Sequence, residues 1–571
     1  MARCSNSLLN AGVLVLTVVV LGGRIWLSNR AATTDCERFM ERPVIALGVL
    51  LLAQQQHELP VSYATAGGVP CSDFYFSGKK MRAVVHGKAT KSEGCARINL
   101  KKRRSQTFRL HRVPPDVLRV ILSQLSFKEA ARTSIVSRKW KRLWRCYPKL
   151  VLTGDMMLGS SSNAAGDHPT WNKTTFIRRA NSVVRQLSSS SATLNKFIVK
   201  FPLLQSDADH IDRWVSLSAA SRARRIVLDL CPELEKFGDK DQMYSFPLHL
   251  FSVGGNSCVK SLCLGFVSLN LLHQLSPAGN TNRLTILKKL TLHKVSIAGD
   301  LQSLLLECDA LEWLSLTFCS LQHRDLVVQH QQPLQRLRHL RVLHCRLQKL
   351  ELQAPNLTEF EFANHQVPLV LGDCVNLSMA SVGLLLPSDG FDYACTKLPV
   401  ALPHVCDRLT LSMAIRTEAP LLMKGGSVFA NLRHLILNVD IDGCPKASTG
   451  VLRLACLLEL APVLEELELH MYCANTPFYT SDLDAAATSP AARLHERLRT
   501  VYMTGFYGIR GQLELAHRIL RSTVALDRLI IDPTRKVDHN FRNQAYAGMG
   551  RTMATLCINK AQFPGTVITI L

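Results

Sequence analysis

The sequence predicts an α/β chain in which a small N-terminal three-helix module precedes a long solenoid of parallel strands. Two observations carry this expectation. A Leu-x-x-Leu-x-Leu pattern recurs between residues 224 and 531, and residues 108–150 hold three short amphipathic helical segments. The bulk numbers set the frame. At 571 residues the chain exceeds one compact core unless that core is elongated and repetitive, and 47% hydrophobic content excludes wholesale disorder.

Residues 1–80 read as an atypical hydrophobic leader. Arg3 precedes the uncharged run Leu8–Gly23, and a second apolar patch covers 44–53. Two readings stand for it. One is a membrane or secretion segment through residues 8–23; the other is a dispensable leader, with Met81 as the alternative start. Residues 81–107 form a basic linker. Residues 1–112 hold 17 Lys/Arg against 6 Asp/Glu, so they carry +11 of the chain's formal +24. LysLysArgArg at 101–104 reads equally as a nuclear-import signal or a solvated linker.

The helical module at 108–150 starts with Pro114 and Pro115, which pre-set φ for helix entry, and Asp116, which suits the first-turn dipole. Val117, Leu118, Ile121, Leu122 and Leu125 then share one helical face. Ser126 and Glu129 have the spacing of a capping box for a second helix carrying Ala130, Ala131 and Ile135. Ser137 starts a third, with Trp140, Leu143 and Trp144 along one side. Three short helices bury little alone, so the apolar face suits docking to another protein. Residues 151–222 are expected to be a linker with one helical segment near 176–187.

Leucine-rich repeats are expected over 223–430 and again over 431–535, with 536–571 as a tail. Taking the fourth position of each copy as marker, Leu290, Leu314 and Leu340 are 24 and 26 residues apart. Leu435, Leu467, Val501 and Leu529 follow at 32, 34 and 28. An alternating Leu-x-Leu is a short strand with one buried face. Strands at this period cannot fold separately, but they stack into a leucine-rich-repeat solenoid, with a parallel sheet on the concave side and helices or loops outside. Two copies, 347–352 and 357–362, lie only ten residues apart, which implies little or no helix between them. Pro387–Pro403 reads as a loop.

Nothing points to catalysis. The chain has no P-loop, GxSxG, HExxH or GxGxxG following a strand. No two of the eighteen cysteines form a CxxC, so no zinc site is expected, and reduced, structural cysteines fit a cytosolic or nuclear protein. Asp440–Gly443 lacks the further ligands of an EF-hand. No cofactor or metal is expected. The charge of +24 raises nucleic acid as a partner, but aromatics are sparse at 6% and no reading motif is present, so none is expected. Arg338-His339 and Arg433-His434 are candidate substrate-facing pairs.

The segment VPPDVLRVILSQLSFKEAARTSIVSRKWKRLWR resembles an F-box. Its joining to irregular leucine-rich repeats resembles the large plant family of F-box/LRR proteins. The carboxyl third, with LeuGluGluLeuGluLeu and AspArgLeuIleIleAspPro, resembles the FBD-type ending of many members. The resemblance implies a non-catalytic substrate receptor of an SCF-type ubiquitin ligase; the alternatives are an F-box/LRR interaction module acting outside a ligase, or a membrane-anchored LRR binding protein. Its F-box would bind the adaptor Skp1 through Val113, Pro114, Val117, Leu118, Ile121, Leu122, Val136, Trp140 and Trp144. Skp1 would recruit a cullin, and the solenoid would hold an unknown protein substrate, with no obligate homo-oligomer. Val113 and Pro115 are the departures from the usual opening, and neither removes apolar surface.

Overall fold

The computed structural model describes residues 114–158, 173–188, 193–232, 240–252, 258–271, 284–328, 334–384, 390–415, 427–441, 451–473, 495–534 and 542–571, less Ser126, Val136, Ser137, Arg145, Cys146 and Gly372. The leader with Leu8–Gly23, the basic linker, Val113, Val136 and the Ser126 cap lie outside these residues. The chain divides into two compact units, Met1–Leu143 and Trp144–Leu571.

In the first unit, α1 spans Pro115–Gln124, α2 Phe127–Thr133, and α3 begins at Arg138 and runs to Trp144, across the unit boundary. Pro115 occupies the first turn of α1, where its missing N–H costs nothing. The Thr133 hydroxyl donates to the Ala130 carbonyl at 2.6 Å within α2.

The second unit is built on one sheet of fifteen strands, all parallel and hydrogen-bonded in chain order. We number them β1 Lys149–Thr153, β2 Lys196–Lys200, β3 Arg225–Asp229, β4 Ser261–Gly265, β5 Lys289–His293, β6 Trp313–Thr317, β7 His339–Leu343, β8 Glu359–Asn364, β9 Met379–Leu384, β10 Arg408–Ile415, β11 His434–Ile441, β12 Glu466–Cys473, β13 Thr500–Thr504, β14 Arg528–Asp532 and β15 Val567–Ile570. The repeat markers define the register. Leu290 pairs with Leu314 and Leu314 with Leu340; further along, Leu435, Leu467, Val501 and Leu529 pair in succession. All seven are buried, so each coil adds one full apolar row to a continuous core. Alternate residues of the same strands leave the opposite, open face of the sheet to solvent.

The solenoid is longer than the leucine pattern implies. β1 straddles the end of the expected helical module and the start of the expected linker, β2 lies in that linker, and β15 in the expected tail. Their core positions are Leu150, Phe197 and Ile568, and Lys-Phe-Ile-Val-Lys carries strand alternation without the repeat's leucines. Between β1 and β3 run helices α4, Lys173–Ser188, and α5, Ala208–Ala220. Phe176 of α4 stacks on Phe201 at 3.9 Å, and the Trp214 indole N–H donates to Asn181 at 2.8 Å.

Behind the sheet, the short coils differ from the helical expectation. Tyr244–Ser245, Val267–Asn270, Ser296–Ala298 and Ser320–Leu321 form a second parallel sheet, and Asp325–Val328, Lys349–Leu352 and Leu369–Val370 a third. This explains the two copies ten residues apart: Lys349–Leu352 belongs to the outer sheet and Glu359–Asn364 to the large one. Longer coils carry helices, including Phe391–Thr396 and Leu398–Ala401 inside the segment read as a loop. Pro399 was the misleading signal, since it sits in a first helical turn that tolerates it.

After β4 to β7 the chain leaves through Phe266, Lys294, Phe318 and His344, all with φ between 51° and 54°. Left-handed backbone strains non-glycine residues. Each of these N–H groups donates to a carbonyl of the next coil, which offsets that cost.

Candidate functional site: the helical module and the open face of the sheet

The helical module sorts its apolar residues into two sets. Leu118, Leu122, Leu125, Phe127, Ala130, Trp140 and Leu143 are buried. Trp144, first residue of the second unit, is buried and stacks on Tyr147 with ring centroids 5.5 Å apart. Val117 is 44% exposed, Val120 61% and Ile135 85%, while Ile121 is half-buried and Pro114 exposed. Of the nine residues expected to meet Skp1, Pro114 and Val117 are exposed and Ile121 is half-buried. Leu118, Leu122, Trp140 and Trp144 are interior, and Val113 and Val136 lie outside the described residues. Val120 and Ile135 are the additions. Val120 stands three residues after Val117, so helical spacing alone carried that signal. Ile135 was expected on the second helix, but α2 ends at Thr133 and Ile135 falls on the turn after it.

On the open face, the four substrate-facing candidates separate into pairs by role. His339 and His434 open β7 and β11 on the solvent side, whereas Arg338 and Arg433 precede the strands at the exposed rim. The two histidines are four strands apart, about 19 Å at the usual strand spacing, so they do not form one cluster. His339 Nδ1 lies 2.9 Å from Glu359, off the line of an N–H hydrogen bond, and Arg341 pairs with Glu361 at 3.1 Å in the next register row. His434 sits between Glu466 at 3.6 Å and Glu468 at 3.1 Å. Glu468 also reaches His470 at 3.2 Å, and the other His470 nitrogen lies 2.9 Å from the Thr504 hydroxyl. The Tyr502 hydroxyl donates to Asp532 at 3.1 Å, and burial, and next this hydrogen bond, push the phenol pKa up. Apart from Glu468–His470 within β12, these are cross-strand ion pairs and hydrogen bonds.

Among the described residues, no group of three His, Cys, Asp or Glu is placed to hold a metal ion. No described helix is long and apolar enough to cross a membrane.

Residues 110–151 match the F-box domain family, and residues 189–568, two thirds of the chain, match the At1g61320/AtMIF1 LRR domain family. The chain belongs to the F-box/LRR-repeat protein family. Members of this family are non-catalytic receptor subunits, in which the F-box engages Skp1 and a cullin and the repeats engage substrate. Among similar proteins of Arabidopsis thaliana, F-box/LRR-repeat protein At3g03360 is 27% identical over 373 residues, 63% of this chain and 70% of the relative. F-box protein At1g80960 is 23% identical over 444 residues, 75% of this chain and 85% of the relative. A stretch of 55 residues is 54% identical to Tetraspanin-8 of the same plant, covering 9% of this chain and 20% of that protein. Outside the two family regions, only residues 1–109 offer an uninterrupted stretch of that length.

Proposed function

We propose that this chain is the substrate receptor of an SCF-type ubiquitin ligase, with Skp1 seated on the outward residues Pro114, Val117, Val120, Ile121 and Ile135. The observation that carries this reading is an F-box followed in the same chain by a long repeat solenoid. Leu118, Leu122 and Trp140 belong to the same proposal as the buried residues that hold the helices and present the outward set, and Trp144, with Val113 and Val136 outside the described residues, stays in it as an expected Skp1 contact. The receptor contributes proximity and orientation: it raises the effective concentration of a bound protein near the transferred ubiquitin. His339 and His434, with Arg338 and Arg433 at the rim, belong to the surface that takes the substrate. We place the protein in the cytosol or nucleus, a reading supported by described cysteines that are thiols.

The test is co-purification with Skp1. Val117→Asp together with Ile135→Asp is expected to abolish it while leaving the melting temperature unchanged, because both side chains are exposed. Undiminished Skp1 recovery rejects the assignment. Leu118→Asp is the wrong probe, since it buries a charge inside the module and unfolds it.

The tetraspanin-like stretch favours one further reading, in which residues 8–23 tether the receptor to a membrane. Pelleting with membranes after alkaline carbonate extraction supports it, and full recovery in the supernatant rejects it.

A further inference from the structure

The first strands of the open face carry a feature that the receptor role does not by itself require. Lys149, Lys196, Arg225, Ser261, Lys289, Trp313 and His339 occupy one register row across β1 to β7. Four of the first five are cationic. Among the described residues, no carboxylate pairs with Lys196 or Arg225. Arg224 and Lys260 add exposed charge at the rim, and the nearest acid on this part of the face, Asp229, stands two rows away opposite Lys200. Glu312 is already held by Lys288 at 2.6 Å. Burial, and next the neighbouring charges of Arg225, Lys149 and Lys200, hold the Lys196 amine below the usual lysine pKa.

Beside the cations, the next row is apolar, with Val151 and Ile198 half-buried and Val227 buried, all in register. The basic row ends on an aromatic. The Lys289 amine lies 4.0 Å over the Trp313 ring, and Trp313 stands 4.7 Å from the His339 ring, which leads to Glu359. A tryptophan held this way at the end of a basic row has the character of an interface anchor. Five strand steps from β1 to β6 span about 24 Å, the reach of about seven extended residues.

We propose that the β1–β6 end of the open face seats an extended, carboxylate-rich segment of the substrate protein, its acidic side chains on Lys149, Lys196 and Arg225, its aliphatic ones on the half-buried Val151–Ile198 strip, and an apolar end against Trp313. This deepens the receptor reading and rests on it. Charge complementarity selects the occupant: a basic or neutral segment gains nothing from the row, and the adjoining aliphatic strip suits a peptide better than a nucleic acid backbone.

The test uses the full chain co-purified with Skp1, and a fluorescein-labelled octapeptide of alternating glutamate and leucine ending in phenylalanine, followed by anisotropy at low and high salt. Binding that weakens with salt is expected. Lys196→Glu with Arg225→Glu is expected to weaken it about tenfold or more, while Lys196→Arg with Arg225→Lys keeps it within about threefold. Arg528→Glu, in the same row at the far end of the sheet, leaves it unchanged. If the charge-reversed chain fails to fold, Lys196→Gln with Arg225→Gln carries the same expected loss. Equal binding by the charge-altered and native chains overturns the proposal, as does displacement of the peptide by an equimolar oligothymidylate. Skp1 recovery in the same samples keeps the two readings apart. Its loss from the native chain counts against the receptor role, whereas peptide failure with Skp1 retained counts against this site alone.

Discussion

Removing the side chains of Ile135 and Val120 together is expected to weaken Skp1 binding about a hundredfold without weakening the fold. The magnitude follows from their exposure, 85% for Ile135 and 61% for Val120. Complete burial of an aliphatic side chain contributes about 1.5–3 kcal/mol, so covering Ile135 on binding is worth about 2 kcal/mol and covering Val120 about 1 kcal/mol. Truncating both to alanine therefore removes about 3 kcal/mol, a factor of about a hundred in Kd. Exposed positions of this kind change folding stability by about 0.5 kcal/mol or less. Calorimetric titration of Skp1 into the purified chain, with thermal melts of each variant, reads both quantities. Leu122→Ala is the contrast: it is buried, and truncation there costs about 2–5 kcal/mol of stability. Native Skp1 affinity in the Ile135→Ala, Val120→Ala chain would refute the assignment of this surface.

Three further expectations concern the solenoid. Gly505→Ala loses several kcal/mol by denaturant titration, because φ is +63° and a Cβ there would stand 2.0 Å from the Met471 carbonyl oxygen; a native midpoint would refute it. Gln512 is fully buried, accepts from the Tyr507 and Gly508 N–H groups at 2.8 and 3.1 Å, and donates to the Gly505 carbonyl at 3.0 Å. Gln512→Leu strands these groups and is expected to cost about 2–4 kcal/mol, measured as a shift in urea midpoint. Burial depresses the His495 imidazole below its usual pKa, so the folded state favours the neutral ring. Its stabilising contribution is complete above about pH 6.5 and declines as pH falls toward the lowered folded value. Melting temperature is expected to drop between about pH 7.5 and 5.5, with a smaller drop in His495→Gln; an equal drop would show that other groups carry the effect.

The repeat leucines made the fold legible because they are also its register. Leu290, Leu314 and Leu340 mark a periodic pattern in the sequence and a stacked core row in the structure, so spacing translates directly into pairing. Legibility ended where a strand kept alternation but not leucine. Lys-Phe-Ile-Val-Lys at β2 and the final Val567–Ile570 fill the same rows with other apolar residues. Outer strands such as Lys349–Leu352 repeat the leucine spacing and so resemble concave strands, although they belong to another sheet. In the helical module, periodicity identified an apolar face. It could not divide that face between residues spent on internal packing, such as Leu118 and Trp140, and those left outward, such as Val120 and Ile135. That division depends on how three short helices settle together. The basic row on β1 to β5 was hidden for another reason: Lys149, Lys196, Arg225 and Lys289 lie 29 to 64 residues apart, in adjacent or next-nearest strands, and only register brings them side by side.

The most direct test of the receptor role is assembly from purified components. The full chain, Skp1 and the N-terminal half of a cullin are mixed and separated by size exclusion with light scattering. The account predicts a single peak with the mass of one copy of each, lost for the Val117→Asp, Ile135→Asp chain. Elution of the native chain alone, with Skp1 and cullin in a separate peak, would contradict it.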